Sequence, residues 1–551
     1  MEFIELISIS KIDNVILHMG CNESIEGTLC ITGHHLILSS RKEQCSRELC
    51  ILQQSIDHIE IDKRTNKQND TTSTTIKYPF YYRLPISIDT NTSIEDGYQL
   101  YANIELEYYK QLIQESCNDW RLTEVNKYYN LCKTYNHQLI VPKNIDDSTL
   151  IESSKYRQDG RIPLISYKHG PNNGGTGTIL LRASQPLCGS TNKRSRSDER
   201  LLNSYLMMNN KSGYIIDTRS LNVATHCKSK GGGFEIDIYY PQWKRIHKSL
   251  DKINNSTTLI ESLTKLIEAC NDTNCTTDKW LSRLNNSDWL HYLLIVLNTS
   301  CIVAQSLHHD DVNVLVHGTY GLDTTILVTS LTQVILNPET RTVHGFQALI
   351  EREWLQNGYP FYIRHMHSCY YKENNKDNND KDNTTNSTYI NNNHTSPTFL
   401  LFLDCIQQLH AQFPCSFEFN TNYLILLFEH SYFSQYGTFI GNNQYERTIL
   451  LKLYSTTTSL WTYLNQKHIK EQYLNVMYEE NLTPIWPSIA PISFVLWSQL
   501  FLRYSINQKP IINSNQSIQS IQQHHFHLKS QVIQLRKQLY DLQLTYESLS
   551  N

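Results

Sequence analysis

Apolar and polar positions along this chain follow three successive rhythms, and the changes of rhythm divide it. Up to about residue 110 the alternation is strand-like: Gly27-Thr28-Leu29-Cys30-Ile31 runs through Thr32-Gly33-His34-His35 into Leu36-Ile37-Leu38, a hairpin pattern. From Trp120 to about Tyr504 short apolar runs alternate with apolar positions at helical spacing, which predicts an α/β domain. After a linker at 507–516 a seven-residue repeat takes over, with Ile518, His525, Val532, Leu539 and Tyr546 at a and Ile521, Leu528, Leu535, Leu542 and Leu549 at d. Strict 3-4 spacing over more than four heptads predicts a coiled coil, roughly 48 Å long if fully helical.

The predicted division is therefore a β domain at 1–110, an α/β domain at 118–505 and a coiled coil at 515–549. Pro171–Thr178 reads as a Gly/Asn turn. The asparagine-rich stretch 373–397 has too few apolar groups to order itself and is expected to loop out as a disordered insert. In the repeat, Lys529 and Arg536 at e would face His524 and Gln531 at g of a parallel copy, so a homodimer gains no attractive charge pair. His525 and Tyr546 also suit a dimer core poorly. A different partner with acidic flanking positions fits better than a second copy.

Composition narrows the class. A net charge of −4 and a pI near 6.6 give no electrostatic reason to expect nucleic acid. No apolar stretch of signal-peptide type comes after Met1, and apolar patches such as Leu293–Leu297 and Tyr423–Phe428 are too short to span a bilayer. The fourteen cysteines show no CxxC pair, so reduced and mostly buried thiols are expected. Asn255, Asn274 and Asn298 head Asn-x-Ser/Thr sequons that a cytosolic chain would leave unmodified. A cytoplasmic protein is the expectation.

The segment VLVHGTYGLDTTIL (Val314–Leu327) carries the candidate chemistry. Val314, Leu315 and Val316 predict a buried strand, and Leu327, Leu331, Val334 and Ile335 a helix, with a glycine-bearing turn between. Such a turn aims backbone N–H groups and a positive dipole end at an anion. In cysteine-dependent phosphatases the turn reads HCxxxxxRT. Here it reads His317-Gly318-Thr319-Tyr320-Gly321-Leu322-Asp323-Thr324-Thr325, with Gly318 in the place of the nucleophile and Thr324 in the place of the arginine.

The surrounding segments carry a resemblance. GRIPLISY (Gly160–Tyr167), SQPLCG (Ser184–Gly189), GYIIDTRSLNVA (Gly213–Ala224), KGGGFE (Lys230–Glu235), YPQWKRIHKS (Tyr240–Ser249), GFQALIEREWL (Gly345–Leu355), FPCSFEFN (Phe413–Asn420) and WPSIAP (Trp486–Pro491) occur in one order along the chain. In these the chain is similar to the myotubularin-related lipid phosphatases. The resemblance implies an α/β cysteine-phosphatase-like domain behind an N-terminal PH/GRAM-like β domain, with a C-terminal coiled coil. It implies no cofactor. Active members of that family remove the 3-phosphate from phosphatidylinositol 3-phosphate and the 3,5-bisphosphate, and inactive members pair with them. After Ile51–Asp62, however, the polar tract Lys63–Thr75 leaves little room for the later GRAM strands and closing helix, so the domain reads as shortened, either reduced in itself or, the favoured reading, by loss of a segment.

A glycine at 318 cannot form a phospho-enzyme, and Thr324 brings one hydroxyl and no charge where a guanidinium would clamp phosphoryl oxygens. Thr319 and Thr325 lack a base that could make either an alkoxide; His317 precedes the turn and is expected to orient it. Asp323, matching an aspartate that active members use as proton donor, has no nucleophile to serve. With no arginine to offset it, it is expected to repel a dianion.

The expectation is a pseudophosphatase that pairs through 518–549 with an active myotubularin-related phosphatase at endosomal or other internal membranes. The alternatives are a stand-alone phosphoinositide-binding adaptor and a residual lipid phosphatase. His308-His309-Asp310-Asp311 reads as a solvated turn rather than a metal site, and Gly231-Gly232-Gly233 lacks the spacing of a nucleotide loop. Cys227 and Cys301 read as core thiols, and Asp217 with Arg219 as a buried ion pair.

Overall fold

The computed structural model describes four strands between residues 11 and 52, Lys110, residues 119–170, 177–207, 212–272, 276–365 and 395–503, and Gln531 and Gln534. The four strands, β1 (Lys11–Met19), β2 (Glu23–Ile31), β3 (His35–Ser40) and β4 (Glu48–Leu52), form an antiparallel meander. Gly27 pairs with Ser40 and Leu29 with Leu38, so the expected hairpin is present. The remainder of the predicted GRAM-like domain after β4, including the shortened tract, lies outside the described residues.

The α/β domain opens with a two-stranded ribbon, β5 (Trp120–Thr123) against β6 (Leu139–Pro142). Its main sheet has five strands in the order β10-β9-β11-β8-β7, formed by β7 (Leu164–His169), β8 (Thr178–Ser184), β9 (Gly213–Asp217), β10 (Trp243–His247) and β11 (Asn313–Gly318). β10, β9, β11 and β8 run parallel; β7 closes one edge antiparallel to β8. β11 and β8 are buried at every residue, which explains why they read as continuous apolar runs rather than alternating ones.

Helices α1 (Asp147–Ser154), α2 (Arg196–Met207) and α3 (Leu221–Ser229) lie between the early strands in sequence. The long α4 (Trp289–His308) leads into β11, and α5 (Thr324–Leu336) leaves it; α5 packs against α4 and against α6 (Thr398–Gln412). All of α5 is buried. Its run of Thr, Ile and Val has mediocre helix propensity, so tertiary burial holds it helical. Two of its hydroxyls are satisfied within the helix: Thr329 donates to the Ile326 carbonyl at 3.2 Å and Thr332 to that of Val328 at 2.8 Å.

α4 corrects the expectation that no segment reaches membrane length. Its twenty residues, with a mean hydropathy of 1.5, are long and apolar enough to cross a bilayer. More than half of that span is buried inside the domain, including Trp289, Leu293, Val296 and Leu297. It is apolar because it is a core helix.

The asparagine-rich stretch 373–394 lies outside the described residues, but its stem does not. The Ser396 amide donates to the Arg364 carbonyl at 3.0 Å, so the two sides of the insert meet. A separate compact unit is built from 265–286 and 496–551; among its described residues are the helix Thr277–Asn286 and an Arg283–Asp272 ion pair. Of the predicted coiled coil, Gln531 and Gln534 are described, both helical. Ile518, Ile521, Leu528, Val532, Leu535, Leu539, Leu542 and Leu549 lie outside the described residues.

Candidate active-site loop

The turn lies where the carboxyl ends of the parallel strands meet. Register places His317 between Ala183 of β8 and Asp217 of β9, and Gly318 beside Ser184. In parallel α/β sheets this edge is where ligands bind. Asn313 sets the register from below, accepting from the Ile179 amide at 2.9 Å and donating to the Tyr205 carbonyl at 3.2 Å.

Two backbone positions shape the turn. Gly321 has φ +66°, and a Cβ there would stand 2.4 Å from the Ala183 carbonyl oxygen, so only glycine fits. Asp323 adopts φ 43°, ψ −100° immediately before α5, a strained conformation for a side-chain-bearing residue. The turn that leads into it is held at two carbonyls. The Arg161 guanidinium donates to the Gly321 carbonyl at 2.9 Å, and the Gln185 amide to the Thr319 carbonyl at 3.3 Å. Arg161 is itself fully buried and fixed by the Asn357 side chain and carbonyl, each at 2.9 Å.

His317 is fully buried, with Nε2 3.0 Å from Glu235 Oε2. Neither atom meets hydrogen-bond geometry, so the contact is electrostatic. Glu235 also receives Arg157 at 2.7 Å, and Arg157 grips Asp198 through two bonds of 2.7 and 2.9 Å. Tyr240 and Ser153 hydroxyls complete Asp198, each at 2.8 Å. Burial works against the Glu235 carboxylate, yet His317 and Arg157 outweigh it and hold this carboxyl far below the usual carboxylate range. His317 was expected to orient the turn through hydrogen bonds; its ring nitrogens make none here, and its close contact is the buried Glu235 carboxylate.

The interior of the turn is crowded with hydroxyls. Thr218, Thr324 and Thr325 are all buried, and Thr218 and Thr324 share a hydrogen bond at 3.0 Å. Thr325 Oγ1 makes no hydrogen bond. Between His317 and Thr325 the chain offers no thiol and no guanidinium. Tyr320 stands at the rim, 37% exposed.

Asp323 requires a correction. Arg364 Nη2 lies 2.7 Å from Asp323 Oδ2, and both side chains are largely buried. The carboxylate is neutralised from outside the turn, and the expected repulsion of an anion loses its basis. Burial lowers the Arg364 guanidinium's affinity for its proton, but Asp323 more than restores it. Position 364 is far from the turn in sequence, and nothing in the local pattern announces it.

The other candidate residues divide between the core and the rim of the turn. Arg219 binds Asp217 through two bonds of 2.8 Å and donates to the Gly233 carbonyl at 2.8 Å, the expected buried ion pair. Cys301 is half-buried rather than a core thiol, and burial pushes it up to about 11. Cys227 is half-buried and its sulfur approaches Thr319 Oγ1 at 4.0 Å, so it borders the turn rather than the core. The seven described cysteines are free, four of them buried. At 309–311 the turn is exposed, yet His308, the last residue of α4, contacts His169 Nε2 through Nδ1 at 2.8 Å, and His309 stacks on Trp486. No cluster with metal-binding composition occurs among the described residues.

A central parallel strand, a glycine-pinned turn and a buried helix behind it define a phosphatase-type α/β domain. The chain belongs to the myotubularin-related family: the myotubularin-like phosphatase domain matches residues 77–448. It is 42% identical to "Myotubularin-related protein 9" of Bos taurus over 98% of both chains, and 41% identical to its Homo sapiens namesake, again over 98% of both. It is 34% identical to "Phosphatidylinositol-3,5-bisphosphate 3-phosphatase MTMR2" of Mus musculus, over 76% of this chain and 60% of that one.

Proposed function

We propose that this chain is a catalytically silent myotubularin that serves as a regulatory subunit of an active relative. The observation that carries the reading is Gly318, a backbone position without a side chain, in a turn that also lacks an arginine. Phosphoryl transfer through a phospho-enzyme needs a nucleophile, and each lost tenfold in rate corresponds to ~1.4 kcal/mol of transition-state stabilisation. With both groups gone, the loop has no route to turnover. The fold around it is intact and buried, so what remains is a stable body to present to a partner.

The partner class is drawn from the repeat at 518–549, whose e and g positions disfavour a second copy. A myotubularin-type 3-phosphatase acting on phosphatidylinositol 3-phosphate or its 3,5-bisphosphate is the proposed partner, stabilised or targeted by this chain at internal membranes of the cytoplasm. Deleting residues 518–551 and repeating co-precipitation from cells tests it; the expected result is loss of pairing, and undiminished pairing removes the coiled coil from the account. Phosphate release from short-chain phosphatidylinositol 3-phosphate by the wild-type chain tests silence, with background rates expected.

The Arg364–Asp323 pair favours a second reading, binding without turnover, because the fixed charge that opposed an anion is neutralised. Flotation with liposomes containing phosphatidylinositol 3-phosphate decides it, and equal recovery on neutral liposomes would count against it.

A further inference from the structure

We infer that Thr218 is a third determinant of silence: it occupies the volume in which any side chain at position 318 would have to sit. The inference rests on the reading of this chain as catalytically silent, and it predicts that restoring the two absent groups does not by itself restore a usable nucleophile.

The geometry is specific. A Cβ built on Gly318 would stand 2.8 Å from Thr218 Oγ1, inside ordinary contact, and 3.5 Å from the hydroxyls of Thr324 and Thr325. The three threonines thus enclose the position, with Thr218 the one that overlaps it. Thr218 has little freedom to withdraw. It is 1% exposed. Its amide donates to the His317 carbonyl at 2.9 Å, and its own carbonyl accepts from Leu250 at 2.8 Å, so the backbone is fixed on both sides. Its hydroxyl is held by Thr324 at 3.0 Å, and a β-branched side chain has few alternative χ1 states. Replacing Thr324 by arginine removes the partner but not the obstruction, and leaves a buried hydroxyl to be satisfied. The turn has therefore closed over the missing side chain instead of leaving a vacancy. A pattern confined to 317–325 cannot reveal this, since Thr218 is the residue that follows β9.

The test compares full-length proteins: wild type, Gly318→Cys/Thr324→Arg, and that pair combined with Thr218→Ala, Thr218→Ser or Thr218→Val. The readout is the rate at which the introduced thiol is alkylated by iodoacetamide, its sulfur displacing iodide, monitored by peptide mass at neutral pH. Melting temperatures confirm that each protein is folded. Alanine, which clears the volume, is expected to raise the rate at least tenfold over the pair alone. Serine, free to swing aside, gains less. Valine keeps the bulk without the hydroxyl and stays with the pair. Equal rates with and without Thr218→Ala overturn the inference, as does valine matching alanine; if alanine does not fold, serine against valine carries the same decision. Phosphate release by the wild-type chain is measured separately, and turnover there would overturn the silent reading, leaving the alkylation order to be judged on its own.

Discussion

At the scale of single residues, the loop is held by charges brought from far along the chain. Arg364 exists, structurally, to answer Asp323, and Glu235 to answer His317 and Arg157. Removing one member of a buried pair strands the other, at a cost of about 3 kcal/mol or more. Arg364→Leu is therefore expected to lower the unfolding free energy from chemical denaturation by that order, and Asp323→Asn in the same chain to recover part of the loss. Independent, additive effects in that double-mutant cycle would refute the coupling. Buried histidines set a second residue-level behaviour. Burial holds His169, His365 and His430 down to about 4, against about 6.5 when unfolded. The unfolded chain then binds more protons between these values, so their contribution is present above about pH 6.5 and is lost as pH falls through about 4. His365 Nε2 makes no hydrogen bond, and His365→Phe should flatten the acid slope of the melting temperature between pH 6.5 and 4.

At the scale of elements, strand, turn and helix at 314–336 were legible because burial on all sides leaves an unbroken apolar run, and Gly321 marks one of the two positive-φ positions of the turn. The hairpin of β2 and β3 was legible from alternation. What was not legible is what crosses between elements. Arg161 comes from the segment just before β7 and Thr218 from the residue that follows β9, and periodicity in one segment carries no information about the segment that packs on it. α4 shows the converse failure, where apolar length alone does not tell a core helix from a membrane span. Its pairing with α6 includes a polar link: Trp289 donates to Asp404 at 2.8 Å, and burial pushes that carboxyl up to about 6. A raised acid stabilises the fold below its unfolded pKa and loses that contribution as pH rises from about 4 through about 6. Asp404→Asn should remove this opposing slope, so the mutant's melting temperature should fall more steeply on acidification than that of the wild type. An apolar test of the same region is Leu331→Ala in α5, fully buried, expected to cost about 2–5 kcal/mol in chemical denaturation.

At the scale of the whole molecule, the proposed silence of the site and an intact fold are compatible because the residues that build the domain are not those that phosphoryl transfer would need. The sheet, α5 and the chain of charges from Asp198 through Arg157 and Glu235 to His317 need neither a thiol nor an arginine in the turn. Family membership could be read from ordered motifs across the domain, while the packing inside the turn needed coordinates.

The stem of the asparagine-rich insert carries a consequence for engineering. Because the Ser396 amide meets the Arg364 carbonyl, the domain presents a closed port whose two lips are already joined. Closing a flexible chain across such a port costs only about 0.6 kcal/mol more for each doubling of its length. Cargo spliced between 373 and 394, an affinity tag or a fluorophore acceptor, should therefore leave the melting temperature almost unchanged. Yet one lip is Arg364, whose guanidinium holds the loop's aspartate, so a disturbance of that lip would reach the turn through a single ion pair.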